Sequence, residues 1–143
     1  MKIKLLRIYF LFFFGVCISF LQPFSALGAR ITDVRLWSAP DHTRIVIDLT
    51  EPIQYEVFSQ ENPPQFHLEL KGVSLHTAKK EMDVKDPFIT KISLTELGKD
   101  KVKLVLHQKR TLNANTFILK PYQDKPNRLV IDLIDVVQEK KRN

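Results

Sequence analysis

Four side chains in this sequence pair a charge or a ring with a setting from which it can meet a ligand: Arg35, Trp37, Arg44 and Arg128. An arginine guanidinium is a planar fork of N–H donors that matches a carboxylate through two parallel hydrogen bonds. The indole of Trp37 is a flat apolar plate that can cover the face of a sugar ring, or can instead plug one end of a core. For the arginines the plainer alternative is a solvated position with weak cross-strand pairing. With Tyr55 and Tyr122 as further aromatic surface, the set suits a ligand that is part glycan and part acidic peptide.

Catalysis has less to draw on. His42, His67, His76 and His107 stand in neither His-x-x-x-His nor His-Glu-x-x-His spacing, so no metal site is expected. His67 and His107 read as exposed polar residues on the outward faces of strands. Gly15, Gly28, Gly72 and Gly98 are isolated, which excludes a nucleophile elbow and a phosphate loop. Asp48 and Asp132 each alternate with an arginine, and cross-strand ion pairing accounts for them more simply than acid–base chemistry. The expectation is a protein without cofactor or enzymatic activity.

The elements that must carry these residues are strands. In Arg44-Ile45-Val46-Ile47-Asp48-Leu49 the apolar residues alternate, so Ile45, Ile47 and Leu49 share one face. Arg128-Leu129-Val130-Ile131-Asp132-Leu133 repeats that string with a single change. Gln65-Phe66-His67-Leu68-Glu69-Leu70 and Lys103-Leu104-Val105-Leu106-His107-Gln108 are weaker versions, and the spacing of the four reads as a duplicated antiparallel unit. Between them lie turn-forming stretches at Pro40-Asp41, Glu61-Asn62-Pro63-Pro64 and Pro121 to Asn127. The stretch from Leu75 to Leu97 shows no clean period of two, and Thr77 to Met82 is expected to make a short helix ended by Asp86-Pro87. The fold class expected is all-β: two small antiparallel sheets packed as a pseudo-symmetric sandwich with a short helical crossover. Its core should contain Ile45, Ile47, Leu49, Leu104, Leu106, Leu129, Ile131 and Leu133. With Arg44 and Arg128 in equivalent places of the two repeats, such a fold would show the same charge on two surfaces.

The N-terminus has the form of an export signal. Basic residues Lys2, Lys4 and Arg7 precede an apolar run from Ile8 to Leu21, and Ala26-Leu27-Gly28 offers small residues for cleavage. About 14 apolar residues at ~1.5 Å each reach only about 21 Å, short of the roughly 30 Å of a bilayer core. The expected division is a secretory signal peptide over 1–28, a β domain over 29–136 and a basic polar tail over 137–143, with a retained N-terminal anchor as the alternative. Cys17, the one cysteine of the chain, falls in the leader, so no disulfide is expected. Removing the leader's basic residues lowers the formal net charge from +6 to about +3. That balance favours an anionic partner but falls short of a nucleic-acid-binding signature.

The order and spacing of several stretches together resemble the AMIN domain, the targeting module of periplasmic N-acetylmuramoyl-L-alanine amidases that also occurs in some secretins. They are Ile31-Thr32-Asp33-Val34-Arg35-Leu36-Trp37-Ser38-Ala39-Pro40-Asp41, Thr43 to Leu49, Asn62-Pro63-Pro64, Asp86-Pro87-Phe88-Ile89, and Phe117 to Pro121 followed by Arg128 to Leu133. The resemblance implies an internally symmetric two-sheet fold, a periplasmic location, peptidoglycan binding and recruitment to the division site. Its implied partners are peptidoglycan and an envelope protein or the septal machinery, with no nucleic acid and no membrane after signal cleavage. Gln65-Phe66-His67-Leu68-Glu69 departs from the family's usual arginine-led strand after Asn-Pro-Pro. No zinc amidase motif follows within the sequence, so the expected role is non-catalytic. The alternatives are a docking module for a secretin or other envelope assembly, and the front part of a truncated amidase.

Overall fold

The computed structural model describes residues 28–135. The leader up to Leu27, with Cys17, and the tail over 137–143 lie outside the described residues.

Alternating residues pair into ten strands: β1 (Ala29–Ser38), β2 (His42–Leu49), β3 (Gln54–Glu61), β4 (Pro64–Lys71), β5 (Val73–Leu75), β6 (Glu81–Asp83), β7 (Ile89–Glu96), β8 (Lys101–Gln108), β9 (Asn113–Leu119) and β10 (Asn127–Ile134). They form two five-stranded sheets, ordered β5-β1-β2-β10-β9 and β3-β4-β8-β7-β6. The inward residues of both sheets merge into one core, in which Ile45, Ile47, Leu49, Leu104, Leu106, Leu129, Ile131 and Leu133 are all fully buried. The register read from the alternation is the register of the fold.

The duplication is visible in the topology. β1–β2 and β3–β4 are hairpins of the first and second sheets, and β7–β8 and β9–β10 repeat the pattern with the sheets exchanged. This corrects one expectation. The repeat makes β8 the counterpart of β2 and β4 the counterpart of β10, whereas β2 and β10 are antiparallel neighbours within one sheet. Arg44 and Arg128 therefore lie on a single face instead of two.

The expected helical crossover is also replaced. No helix forms among the described residues, and the segment after β5 runs through short turns into β6, an edge strand on β7. Six residues are too few to offset the cost of nucleating a helix. Glu81 and Asp83 are exposed while Met82 and Val84 pack against the core, which is the strand period. β7 escaped detection because a register shift between Ile89 and Lys91 sets the buried Ile89 and Ile92 three residues apart. A bulge of this kind turns a period of two into an apparent helical spacing.

Candidate functional site: the outer face of the first sheet

On β2 the inward positions are Thr43, Ile45, Ile47 and Leu49, so Arg44, Val46 and Asp48 face outward. Cross-strand register then builds the face row by row. Trp37, Arg44, Asp132 and Asn115 form one row across β1, β2, β10 and β9. Arg35, Val46, Val130 and Phe117 form the next, and Asp48, Arg128 and Leu119 a third. All four residues singled out in the sequence, Arg35, Trp37, Arg44 and Arg128, thus meet on one surface.

Trp37 is 57% exposed, which removes the alternative of a core plug. Its ring lies 5.0 Å from that of His42, at 54° to it, and His42 Nδ1 is 2.8 Å from Asp41 Oδ1. Arg44 grips Asp132 with both Nε and Nη2 at 2.7 Å, one donor on each carboxylate oxygen. These bonds raise the affinity of the Arg44 guanidinium for its proton above the ordinary value. Arg35 Nη2 donates to Asp48 Oδ1 at 2.7 Å. The cross-strand pairing expected of Asp48 and Asp132 is therefore present.

Arg128 differs from the other two. It has no ion pair, and its Nε is closed off from solvent without a hydrogen-bond acceptor among the described residues. Between the arginines runs an apolar strip that sequence reading missed. Val130 points outward yet is only 1% exposed, with Val46 and Phe117 as its neighbours on the two adjacent strands. The signal was present in the alternation, where Val46 and Val130 occupy the polar phase of both strands.

Asp86, read in the sequence as a helix terminator, is instead the buried clasp that fixes β1, β2 and β7 relative to one another. Its Oδ2 accepts from Ser38 Oγ at 2.5 Å and Thr43 Oγ1 at 2.6 Å, and its Oδ1 from the Phe88 and Ile89 amides at 2.8 and 3.0 Å. Burial pushes its pKa up, but these four donors outweigh that and hold the carboxyl below its usual value. Lys109 Nζ donates to the Asp86 carbonyl at 2.6 Å, and Arg110 lies over the Phe88 ring at 5.1 Å.

The opposite face corrects two further expectations. His67 points outward as expected but is only 6% exposed, because edge strand β3 lays Phe58 over it in a stack of 4.4 Å at 8°. Neither ring nitrogen has a hydrogen-bond partner, and burial, with Lys103 and His107 adding to it, depresses the pKa. Tyr55 packs on the core and donates its hydroxyl to the Thr116 carbonyl at 3.1 Å, so it is not ligand-facing surface; Tyr122 is exposed. His107 is half-buried beside Gln65 and Ser93.

The chain is 29% identical over 108 residues to the N-acetylmuramoyl-L-alanine amidase AmiC of Neisseria meningitidis serogroup B, covering 73% of this chain and 26% of that protein. It is 27% identical over 112 residues to the enzyme of the same name from Escherichia coli O6:H1, covering 76% of this chain and 27% of that protein. The chain thus spans about a quarter of the length of these relatives. The family model for the AMIN domain matches residues 33–133, which runs from β1 into β10 and takes in both sheets and the face just described, and the chain belongs to the AMIN domain family.

Proposed function

We propose that this chain is a non-catalytic peptidoglycan-binding and targeting module of the periplasm, and that the outer face of the first sheet is its binding surface. The observation that carries the reading is the convergence of Arg35, Trp37, Arg44 and Arg128 on one exposed face. Trp37 supplies a plate for a sugar ring, and the arginine cluster supplies the positive charge and guanidinium donors that stem-peptide carboxylates require. The relatives are amidases named for N-acetylmuramoyl-L-alanine, which fits a wall ligand. On this reading the leader over 1–28 directs export.

Co-sedimentation of the purified protein with sacculi tests it. The unmodified protein should sediment with no other protein present. Arg44→Ala and Arg128→Ala should each weaken sedimentation, and the pair should weaken it more. If the double variant folds normally and sediments like the parent across a range of salt, the surface lies elsewhere. Release of peptides from glycan strands by the protein alone would overturn the non-catalytic assignment.

One observation favours a second reading, docking onto a secretin or other envelope assembly. β3 is an open edge of eight residues with no proline and no bulge, and its Val57 and Phe58 are exposed. Unprotected edges of this kind accept a partner strand. Retention on sacculi only when envelope proteins are added would select this reading.

A further inference from the structure

We propose that Arg128, rather than Arg35 or Arg44, is the carboxylate receptor of the first-sheet face, and that its ligand is a free carboxylate carried beside a small aliphatic group; this rests on the reading of that face as the binding surface.

Charge compensation separates the three arginines. Arg44 is committed to both oxygens of Asp132, and Arg35 to Asp48. Asp48 is the cross-strand partner of Arg128 in the register, yet Arg35 has taken it, and among the described residues no carboxylate oxygen lies within ion-pairing distance of Arg128. The neighbouring Asp33 is held by Lys79 at 2.6 Å. Within the three rows Arg35, Arg44 and Arg128 stand against Asp48 and Asp132, so the uncompensated positive charge of these rows resides on Arg128. The Arg128 Nε, closed off from solvent, has no acceptor among the described residues, so no hydrogen bond from it commits the guanidinium to a partner within the fold. Recruiting Arg35 or Arg44 would strip an aspartate of its partner, whereas Arg128 can engage an anion without breaking any bond.

The surroundings select the anion. Asp48 and Asp132 stand in the same and a nearby row, so a dianion such as phosphate meets two like charges where a carboxylate brings only one charge against one cation. A terminal carboxylate laid end-on across Nη1 and Nη2 matches the guanidinium fork. Directly across from Arg128 on β9 stands Leu119, 37% exposed, with Phe117 one row on. An aliphatic substituent on the carbon next to the carboxylate can rest against that pair.

The test is an NMR titration of the purified protein with N-acetyl-alanyl-alanine and, separately, with its C-terminal amide and with inorganic phosphate. The free acid should shift the Arg128 guanidinium signals and the amides of Leu119 and Val130, while the amide and phosphate should not. Arg128→Gln should weaken the acid's binding at least about tenfold, the size of one lost charged hydrogen bond. Arg128→Lys should fall between the two. The charge-neutral double change Lys71→Gln with Glu56→Gln, an ion pair of the other sheet, should bind like the parent. Equal shifts from acid and amide, stronger shifts from phosphate, or undiminished binding of the acid by Arg128→Gln would each overturn the proposal. The acid-against-amide comparison uses the unmodified protein and holds even if a variant folds poorly. Sedimentation with sacculi alongside a null titration would overturn the Arg128 assignment and leave wall binding standing; a positive titration without sedimentation would do the reverse.

Discussion

Replacing Asp86 with alanine removes the carboxylate that joins β1 and β2 of one sheet to the start of β7 in the other. Four donors converge on it, the Ser38 and Thr43 hydroxyls and the Phe88 and Ile89 amides. Thr43 has no exposed surface, and Phe88 and Ile89 are buried, so water does not readily take over the bonds of these three, whereas the exposed Ser38 can turn to water. Each buried donor left without an acceptor costs about 1–3 kcal/mol, but the hydroxyls can rotate toward other acceptors and the cost of burying the carboxylate is recovered. The balance is a loss of about 3–5 kcal/mol, a large share of the roughly 5–15 kcal/mol typical of a domain. Asp86→Asn keeps one carbonyl oxygen for the two amides and offers an NH₂ to the hydroxyls, so it should lose only about 1–2 kcal/mol. Urea unfolding followed by far-UV circular dichroism measures both. The folded carboxyl titrates below its unfolded value, so its contribution is complete above about pH 4 and fades as the pH falls through the folded value; the asparagine variant should lack that part of the acid dependence. An alanine variant within 1 kcal/mol of the parent, with unchanged acid dependence, would refute the clasp.

Two other expectations concern the core and the second face. Ile131→Ala, at a fully buried position beside Ile45 in the register, should cost about 2–5 kcal/mol by the same urea assay, and a loss below 1 kcal/mol would mean that the two sheets do not share a close-packed core there. His67 is held neutral beneath Phe58, so its folded pKa is below the unfolded one; its contribution is complete above about pH 6.5 and is lost as the pH falls from there toward the folded value. His67→Leu should flatten stability in that range, and a pH profile parallel to the parent's would show that His67 is not the group responsible.

Local alternation was enough to establish the strands that carry the central residues. Ile45, Ile47, Leu129 and Ile131 occupy the inward phase, so the outward direction of Arg44 and Arg128 followed from sequence alone. Trp37 stayed open between a ligand plate and a core plug until its exposure was seen, whereas the pairing of Asp48 and Asp132 with arginines was legible because opposite charges favour facing positions on adjacent strands. The all-β class and the duplication were likewise written in the period and spacing of the strings.

What the sequence could not specify is which strand lies beside which. Two similar strings look like copies of one element, but hydrogen bonding makes β2 and β10 neighbours, and only that adjacency brings Arg44 and Arg128 onto one surface and lets Arg44 reach Asp132, 88 residues away. Strand order is a non-local property, fixed by how the halves close on a common core, and no window along the chain contains it. The same holds for His67, whose burial depends on Phe58 from a neighbouring strand, and for Asp86, whose donors arrive from positions 38 and 43 as well as from its own loop. Side-chain direction is a local consequence of the strand period, whereas burial, pairing and the lack of an ion pair at Arg128 among the described residues come from tertiary neighbours.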